Sequence, residues 1–319
     1  MSSILEAIDD LAKTLIVENY GTTDPELIAL YERAKVRQWN GTLDLPWQRP
    51  YDGPIMDTTL STLHGTGVLA ALSLEDQMAF HRAESAWVLS QFLHGEQASL
   101  LACGQLMASL PELDSKFYAA SQGYDEARHV EVYKTYLMRR FDRIYPANEN
   151  LIFITHAALG SPEWVMKLVG TQLIVESLAM GAFKTLLDAA IDPLLRELLT
   201  YVMQDEARHV AFGRIALKKA VSELSPRDRE DYEDFVYYAC EMMSRGFIPE
   251  PVYREFGITV TPELLETIHN SEQRRRFRRD LFSVLLPHSR AIGLLTERIE
   301  PRYAALGILE YATAPVDMN

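Results

Sequence analysis

One hexapeptide occurs twice in this chain of 319 residues, and it limits the possible folds more than any other feature. Asp-Glu-Ala-Arg-His-Val stands at 125–130 and again 80 residues later. Each copy contains Glu-x-x-His, with Glu126 and His129 in the first and Glu206 and His209 in the second. On an α-helix, residues i and i+3 lie about 60° apart around the axis, so both side chains point to one spot. A carboxylate and an imidazole meeting there suit a divalent transition metal, so the repeat predicts helices that carry a metal site.

The rest of the sequence also favours helices. Between positions 73 and 220, Pro and Gly are sparse and apolar residues recur every three or four positions. Pairs such as Ser161-Pro162 and Asp192-Pro193 are typical of helix starts. These signals predict four long helices, at about 74–109, 112–142, 162–189 and 193–222.

Four long helices with shorter flanking ones favour an all-α architecture, a four-helix bundle with additional helices. Few breaks in composition separate its parts, so we expect a single domain over 1–319. Its expected parts are an N-terminal extension at 1–73, a metal-binding bundle at about 74–222 and C-terminal helices at 225–319.

The flanks carry weaker signals than the bundle. A short helix is expected at 25–37, and the Gly-, Pro- and Thr-rich segment 40–73 should be irregular. Behind the bundle, Ser-Pro and Thr-Pro pairs predict one helix at about 225–246 and another starting at 262. The tail after Pro301 is expected to be loose.

Each Glu-x-x-His motif has a further glutamate 30 residues before it. Glu96 precedes Glu126 by 30 residues, and Glu176 precedes Glu206 by 30 residues. Glu96 and Glu176 are therefore 80 residues apart, like the two copies of the hexapeptide. Glu176 stands among apolar residues, where an unpaired carboxylate would cost several kcal/mol to bury. A salt-bridged, solvated helix face is the alternative for the repeat, but it does not explain the two matching glutamates. The predicted metal ligands are Glu96, Glu126, His129, Glu176, Glu206 and His209.

This ligand set resembles that of the ferritin-like di-iron carboxylate bundles, in which two helices carry Glu and two carry Glu-x-x-His. The resemblance covers about residues 74–220. Within the superfamily the chain resembles the branch of ribonucleotide reductase small subunits, R2-like oxidases and bacterial di-iron oxygenases. The segment 37–45, with Trp39, resembles the tryptophan-bearing N-terminal segment of that branch. The resemblance implies two Fe ions or a Mn/Fe pair as cofactor, O2 as co-substrate, and a reductase or ferredoxin as electron donor.

The function that this resemblance implies is a non-heme di-iron oxidase or oxygenase. It would act with O2 on an apolar or aromatic small molecule, either free or bound to a carrier. Two alternatives stay open: a radical-generating subunit like those of ribonucleotide reductase, and a non-catalytic ferritin-like metal-binding protein.

Several relatives differ from this chain at diagnostic positions. Arylamine N-oxygenases carry an extra His one turn before the last Glu-x-x-His, where this chain has Val202. Multicomponent hydroxylases place a Thr one turn after the third Glu, where this chain has Met180. Reductase small subunits usually have Asp as first ligand, here Glu96, and a docking tail that the final TAPVDMN does not resemble. An unassigned oxidase or oxygenase is the remaining expectation.

Residues beside the predicted ligands have open roles. In the reductase-like branch, the equivalent of Asp205 bonds the metal-bound His of the other half, and Asp125 either does the same or is solvated. Tyr133 follows His129 by one helical turn, at the position of the radical tyrosine, and is either redox-active or ordinary packing. Trp39 is expected to be packing rather than an electron relay, and the neighbouring arginines 128 and 208 to be surface or supporting residues.

An apolar wall is expected around the metals, where it would exclude water and accept the substrate. Gly213 corresponds to Tyr133 in the second half, so it either opens space for a substrate or allows close helix packing. The predicted pocket residues are Leu93, Leu100, Leu173, Met180, Phe183 and Gly213.

Composition excludes several classes of protein. The formal net charge of −14 argues against a nucleic-acid partner, because phosphate binding needs clustered cations. Cys103 and Cys240 cannot form a disulfide framework, and MSSILEAIDD lacks the apolar core of a signal peptide. The sequence contains no stretch of about 18 uninterrupted apolar residues, so we expect no membrane-spanning helix. We therefore expect a soluble, cytoplasmic protein, and a homodimer. The basic run from Arg274 to Arg279 is either a solvated face or a docking surface for an anionic partner.

Overall fold

The computed structural model of the chain describes residues 16–313. The opening MSSILEAIDD, from which the absence of a signal peptide was predicted, lies outside the described residues. So do residues 314–319 of the final segment, from which the absence of a docking tail was predicted. In chain order the helices are α1 (Pro25–Val36), α2 (Gly67–Ala70), α3 (Leu74–Ser109), α4 (Leu113–Phe141), α5 (Glu149–Gly160), α6 (Trp164–Ala189), α7 (Pro193–Ser222), α8 (Pro226–Arg245), α9 (Glu250–Glu255), α10 (Pro262–Asn270), α11 (Glu272–Ile292) and α12 (Glu300–Ala305).

Helices α3, α4, α6 and α7 form the four-helix bundle, and the predicted all-α fold is confirmed. Helix α3 packs along α4, and α6 packs along α7. Within residues 16–313, the β-type pairing is limited to the isolated bridge between Met56 and Ala190. The bundle is therefore built from two pairs of consecutive helices.

Side-chain caps begin two of the bundle helices, at the predicted Asp192 and at Ser73, whereas α6 begins at Trp164 and not at the predicted Ser161-Pro162 pair. The Ser73 hydroxyl accepts the Asp76 N–H at 3.1 Å and begins α3. The Asp192 carboxylate accepts the Leu194 N–H at 2.9 Å, and Pro193 occupies the first turn of α7. Such caps satisfy backbone donors that have no partner within the helix, which is why these residues fix where a helix begins.

Helix α6 changes pitch just before one of the predicted ligands. Its residues Val169–Val175 are π-helical, and ordinary α-helix resumes at Glu176. A π-helical stretch adds a residue to the turn and rotates everything after it around the helix axis. The direction of the Glu176 side chain is thus set by this stretch as well as by its spacing in the sequence.

Helix α6 also has the length and apolar composition of a membrane-crossing helix. In the structure 78% of its most apolar stretch is buried against other parts of the chain. It packs against α7 on one side and α11 on another. Its apolar character therefore belongs to the interior of the bundle.

The C-terminal region is more ordered than the sequence predicts. The tail after Pro301 was expected to be loose, and this was wrong: α12 and a 3₁₀ turn at Leu309–Thr313 follow, with Tyr303 and Ala312 buried. The 3₁₀ turn packs on α11, a contact between distant parts of the chain that local patterns do not reveal. Buried apolar residues from Leu27 to Ala312 form one connected core.

The basic run lies in the first two turns of α11. Arg275, Arg276 and Arg279 are more than half exposed, in agreement with a solvated face. Arg274 is the exception, because its side chain is buried and donates to the Gly246 carbonyl. The alternative of a solvated face therefore agrees with these three arginines and was wrong for Arg274, whose side chain is buried.

Candidate metal centre

The six predicted ligands meet in the middle of the bundle. Ligand atoms of Glu96, Glu126, His129 and Glu206 all lie within 4.8 Å of one another. A second group, formed by Glu126, Glu176 and His209, meets the same criterion. All six side chains are buried. The 80-residue offset thus brings two groups of metal-binding type side by side.

Each imidazole has carboxylates from both halves around its Nδ1. His129 Nδ1 lies 3.3 Å from Glu96 Oε2 and 3.1 Å from Glu206 Oε1. His209 Nδ1 lies 3.2 Å from Glu126 Oε1 and 3.7 Å from Glu176 Oε2. Both Nδ1 atoms therefore point to the centre of the carboxylate cluster.

Glu126 and Glu206 lie between the two histidines. Glu206 places Oε1 3.1 Å from His129 Nδ1 and Oε2 3.2 Å from His209 Nδ1. Glu126 places Oε1 3.2 Å from His209 Nδ1 and Oε2 3.7 Å from His129 Nδ1. Each of these carboxylates offers one oxygen to each side, which is the arrangement that two bridging ligands require.

The other nitrogen of each histidine is held by an aspartate from the opposite half. Asp205 Oδ2 lies 3.0 Å from His129 Nε2, and Asp125 Oδ2 lies 3.4 Å from His209 Nε2. Such a carboxylate fixes the tautomer and the orientation of a metal-binding imidazole. The contact that the resemblance implies for Asp205 is present, and Asp125 makes the same kind of contact rather than being solvated.

The two arginines of the repeat are buried and bind both aspartates. Arg128 Nη2 donates to Asp205 Oδ2 at 2.8 Å and also bonds Asp125. Arg208 bonds the same two aspartates, with a distance of 3.2 Å to Asp125 Oδ2. The alternative of surface arginines was wrong, because each guanidinium reaches across to the other Glu-x-x-His helix and neutralises a buried carboxylate.

Trp39 joins this network from outside the bundle. Its Nε1–H donates to Asp205 Oδ2 at 2.7 Å, and its ring stacks on Tyr201 with centroids 4.8 Å apart. The guanidinium of Arg128 lies 4.7 Å from the indole centroid. Trp39 is therefore more than packing: it is hydrogen-bonded to the carboxylate that orients His129.

Burial and mutual repulsion shift the protonation of the cluster. Burial, together with Glu206, holds the pKa of Glu96 well above its ordinary value. Burial, with the neighbouring Glu206 charge, raises the pKa of Glu176 to about 8. For Glu206 burial acts in the same direction, but His209 and His129 outweigh it and hold its pKa well below the ordinary value. Without a cation, such a cluster must keep protons to limit the cost of packed negative charge.

The residues present fit a pair of transition-metal ions. Four carboxylates and two imidazoles form a hard, mixed O/N donor set typical of iron and manganese. Glu126 Oε2 and Glu206 Oε1 are buried and have no hydrogen-bond partner among the described residues. Buried charged oxygens are costly without a partner, and a metal ion between the histidines would supply one.

Two polar residues that the sequence did not single out orient the carboxylates. Gln122 Nε2 donates to Glu126 Oε1 at 2.9 Å and to Glu176 Oε1 at 3.1 Å. The Ser99 hydroxyl donates to Glu176 Oε1 at 2.9 Å. Their spacing was the available signal, since Ser99 lies one turn after Glu96 and Gln122 one turn before Glu126. The repeat position of Gln122 in the second half is Val202, so the two halves differ in polarity here.

Tyr133 lies beside the cluster in an aromatic group. Its ring is fully buried, with centroids 6.2 Å from Phe92 and 6.3 Å from Phe183. Its hydroxyl has no hydrogen-bond partner among the described residues. Burial, together with the charges of Glu96 and Glu206, holds the pKa of this hydroxyl well above its ordinary value. Tyr133 is therefore a neutral phenol packed close to the carboxylates.

A mostly apolar cavity reaches the cluster from one side. Glu96, Glu176 and Ser99 form part of its wall, and the rest is mostly apolar, including Phe92, Val175, Ala179, Ala182 and Met243. A small apolar molecule in this cavity would lie directly against two of the predicted ligands.

The predicted pocket residues Leu93, Leu100, Leu173, Met180, Phe183 and Gly213 do not line this cavity. On α3 the cavity lies on the flank of Phe92 and Ser99, whereas Leu93 and Leu100 lie on the opposite flank of Glu96. Phe183 stacks behind Phe92, with ring centroids 4.5 Å apart. Spacing around a glutamate marks a helix face, but not which of its two flanks a neighbouring helix leaves open.

Gly213 serves close packing rather than a substrate pocket. A Cβ at this position would lie 2.9 Å from Gln172 Cβ and 3.0 Å from the Gln172 carbonyl oxygen. Both distances are shorter than ordinary contacts, so a side chain here would push α7 away from α6. Of the two alternatives for this residue, the structure supports the second.

Comparisons with known proteins agree with this geometry. The model of the family described as P-aminobenzoate N-oxygenase AurF matches residues 24–293. No curated protein matches the chain significantly. Because the family model matches most of the chain, Val202, which differs from the His expected in arylamine N-oxygenases, does not place the chain outside the AurF family.

Solved structures share the fold at low sequence identity. A variant of the R2-like ligand-binding oxidase with an anaerobically reconstituted Mn/Fe cofactor has a TM-score of 0.54 and 19% identity, covering 86% of this chain and 94% of that chain. The R2-like ligand-binding oxidase from Sulfolobus acidocaldarius has a TM-score of 0.54 and 16% identity, covering 85% and 92%. A variant with a non-activated Mn/Mn cofactor has a TM-score of 0.56 and 18% identity, covering 88% and 100%.

The family match and the carboxylate–histidine cluster together decide between the three functions left open by the sequence. They favour an O2-dependent oxidase or oxygenase of small molecules over a radical-generating subunit and over a non-catalytic metal-binding protein. The chain belongs to the AurF family of the ferritin-like di-iron superfamily, and it is a dinuclear-metal oxidoreductase that uses O2.

Proposed function

We propose that this protein oxidises an apolar or aromatic small molecule in the cavity beside Glu96 and Glu176. The observation that carries the proposal is that these two carboxylates are part of the cavity wall, so a bound substrate touches the metal-binding cluster. When bound, two iron ions or a Mn/Fe pair supply electrons and open coordination positions for O2. The substrate would be held within reach of that chemistry by the apolar wall.

We assign the six ligands as two terminal carboxylates, two bridging carboxylates and two histidines. Glu96 would bind the ion next to His129, and Glu176 the ion next to His209, because each lies near that imidazole. Glu126 and Glu206 would bridge, since each offers an oxygen to both histidines.

The surrounding residues would prepare the site. Asp205 and Asp125 orient the two imidazoles through their outer nitrogens. Gln122 and Ser99 hold the Glu176 carboxylate by two hydrogen bonds to Oε1, which leaves Oε2 for a metal. Phe92 covers Tyr133 on the cavity side and helps to exclude water from the cluster.

For the substrate we propose an aromatic acid or amine, or a related carrier-bound group, and a monooxygenase type of reaction. The family description names an N-oxygenase of p-aminobenzoate, which makes 4-aminobenzoate the first compound to test. We further propose a reductase or ferredoxin as electron donor, and a cytoplasmic homodimer of single-domain chains. The connected core from Leu27 to Ala312 supports the single domain.

Metal analysis with an O2-uptake assay tests the proposal. The purified protein should hold about two transition-metal ions per chain, and the reduced form should consume O2 faster with a substrate present. Glu176→Ala should retain only about one ion, because no other acid can replace this terminal carboxylate. Glu163→Ala, an exposed acid at the start of the same helix, is the matched control and should keep both. Full metal content in Glu176→Ala would overturn the ligand assignment.

A further inference from the structure

A second cavity adjoins the one beside the metal cluster. The two share four wall residues, Phe92, Ala182, Phe247 and Phe277. The two cavities are therefore neighbours along these side chains. A ligand longer than a single ring could therefore extend from the carboxylate cluster into the second cavity.

The second cavity contains a buried cation without a carboxylate partner. Arg274 lines it with a side chain that is 6% exposed. One Nη2–H donates to the Gly246 carbonyl, and the guanidinium lies 4.9 Å from the Phe277 ring centroid. Among the described residues, the bond from Nη2 is the hydrogen bond that the guanidinium makes, and it forms no ion pair with a carboxylate within 4.0 Å. Burial, with the nearby charge of Arg278, lowers the pKa of Arg274 to about 10, which leaves it charged at neutral pH.

The acids in the same cavity do not serve as its counterion. Glu84 Oε1 accepts the Thr62 N–H at 2.8 Å and is also bonded by the Thr62 hydroxyl. Burial raises the pKa of Glu84 above its ordinary value, against the opposing effect of these hydrogen bonds. Asp57 is exposed and accepts the Thr59 N–H at 2.8 Å. The guanidinium thus lies at the cavity wall with N–H donors that no protein group accepts, and an anion in the cavity would accept them.

We propose that Arg274 binds the carboxylate of an organic acid whose apolar body lies between Phe92, Phe247 and Phe277 and ends beside Glu96 and Glu176. A guanidinium presents a planar pair of donors that matches the two oxygens of a carboxylate. The apolar walls of both cavities accept the rest of the molecule. This inference rests on the proposed function, because it names the substrate class of the same site: an amphipathic monocarboxylic acid that enters with its charged end away from the metals.

Isothermal titration calorimetry on the metal-loaded protein tests this assignment with two probes, 4-phenylbutanoate and its neutral analogue 4-phenylbutanamide. The wild type should bind the acid about tenfold or more tightly than the amide. Arg274→Gln should weaken acid binding by about the same factor and leave amide binding unchanged. Arg276→Gln, an exposed arginine of the same run, should change neither. If Arg274→Gln does not fold, Arg274→Lys serves instead, because it keeps the charge but loses the planar donor pair, and acid binding alone should weaken.

Equal affinities for acid and amide in the wild type would overturn the proposal. So would acid binding that Arg274→Gln and Arg274→Lys both leave unchanged, since the carboxylate would then bind elsewhere, for instance on the metals. These outcomes leave the proposed function standing. In contrast, an absence of substrate-stimulated O2 uptake contradicts the proposed function, while a selective loss of acid binding in the Arg274 variants would still support an acid site.

Discussion

Asp205 holds His129 across the bundle, with Oδ2 of the aspartate 3.0 Å from Nε2 of the imidazole although 76 residues separate them. The partner contact runs the other way, from Asp125 to His209. Each half of the repeat therefore orients the histidine of the other half. Neither helix pair can form a complete metal site by itself, so formation of the site and assembly of the bundle are one event.

Replacing Asp205 with asparagine should weaken metal binding without removing a ligand. The amide keeps the shape of the side chain but loses the charge that His129, Arg128 and Trp39 all contact. Loss of such an orienting carboxylate typically lowers metal affinity about 10- to 100-fold. Competition with a chelator measures the affinity, and Asp188→Asn, an exposed acid on α6, is the control. Unchanged affinity in Asp205→Asn would contradict the orienting role.

Tyr133→Phe should keep the metals, keep substantial turnover and make the fold slightly more stable. The hydroxyl is buried without a hydrogen-bond partner, and removing such a group relieves a penalty of about 1 kcal/mol or more. Thermal unfolding measures the stability, and O2 uptake measures the turnover. The opposite view, that Tyr133 stores an oxidising equivalent, requires a persistent tyrosyl EPR signal in the wild type after O2 is added. Loss of that signal together with all turnover in the variant would favour it.

Gly213→Ala should destabilise the bundle, because the added methyl would lie 2.9 Å from Gln172 Cβ. Overpacking of this kind costs about 1–3 kcal/mol. Gly104→Ala is the matched control, since that helical glycine has no atom within 4 Å of an added Cβ. There the replacement should raise stability by about 0.5–1 kcal/mol, because glycine is a poor helix residue. Chemical denaturation of both variants gives the comparison, and equal effects would contradict the close approach of α6 and α7.

His288 should make the protein sensitive to mild acid. Burial, with the nearby charge of Arg214, lowers the pKa of His288 to about 4, against 6.5 for an unburied histidine. Below about pH 6.5, His288 binds a proton in the unfolded chain but not in the folded chain. The free energy of unfolding therefore falls as the pH drops from about 6.5 towards 4. The full effect is on the order of 3 kcal/mol.

His288→Gln should flatten this part of the pH dependence, because glutamine does not titrate. Unfolding free energies measured at pH 7, 5.5 and 4.5, roughly spanning the two pKa values, provide the test. His156→Gln, which changes an exposed histidine, should leave the slope as in the wild type. An identical slope in His288→Gln and the wild type would assign the acid sensitivity to other groups.

The sequence determined the bundle and the identity of the clustered residues. Caps such as Ser73 and Asp192 set the helix starts through bonds to residues two or three positions away, so a local pattern is enough to find them. The 30- and 80-residue intervals connect positions that α-helix geometry brings to one level of the bundle. For that reason Glu96, Glu126, Glu176 and Glu206 could be selected before any contact was known.

Tertiary structure decided which flank of each helix became the cavity, because that depends on which neighbour leaves a gap. Phe92 lines the cavity and Leu93 does not, although the two are adjacent and both apolar. It also decided that Arg274 is buried while Arg275 and Arg276 are solvated, since only the packing of α11 on the rest of the molecule separates them. Periodicity specifies directions around a single helix axis, whereas burial and cavities arise from several helices packed together, and that information is not local to any segment of the chain.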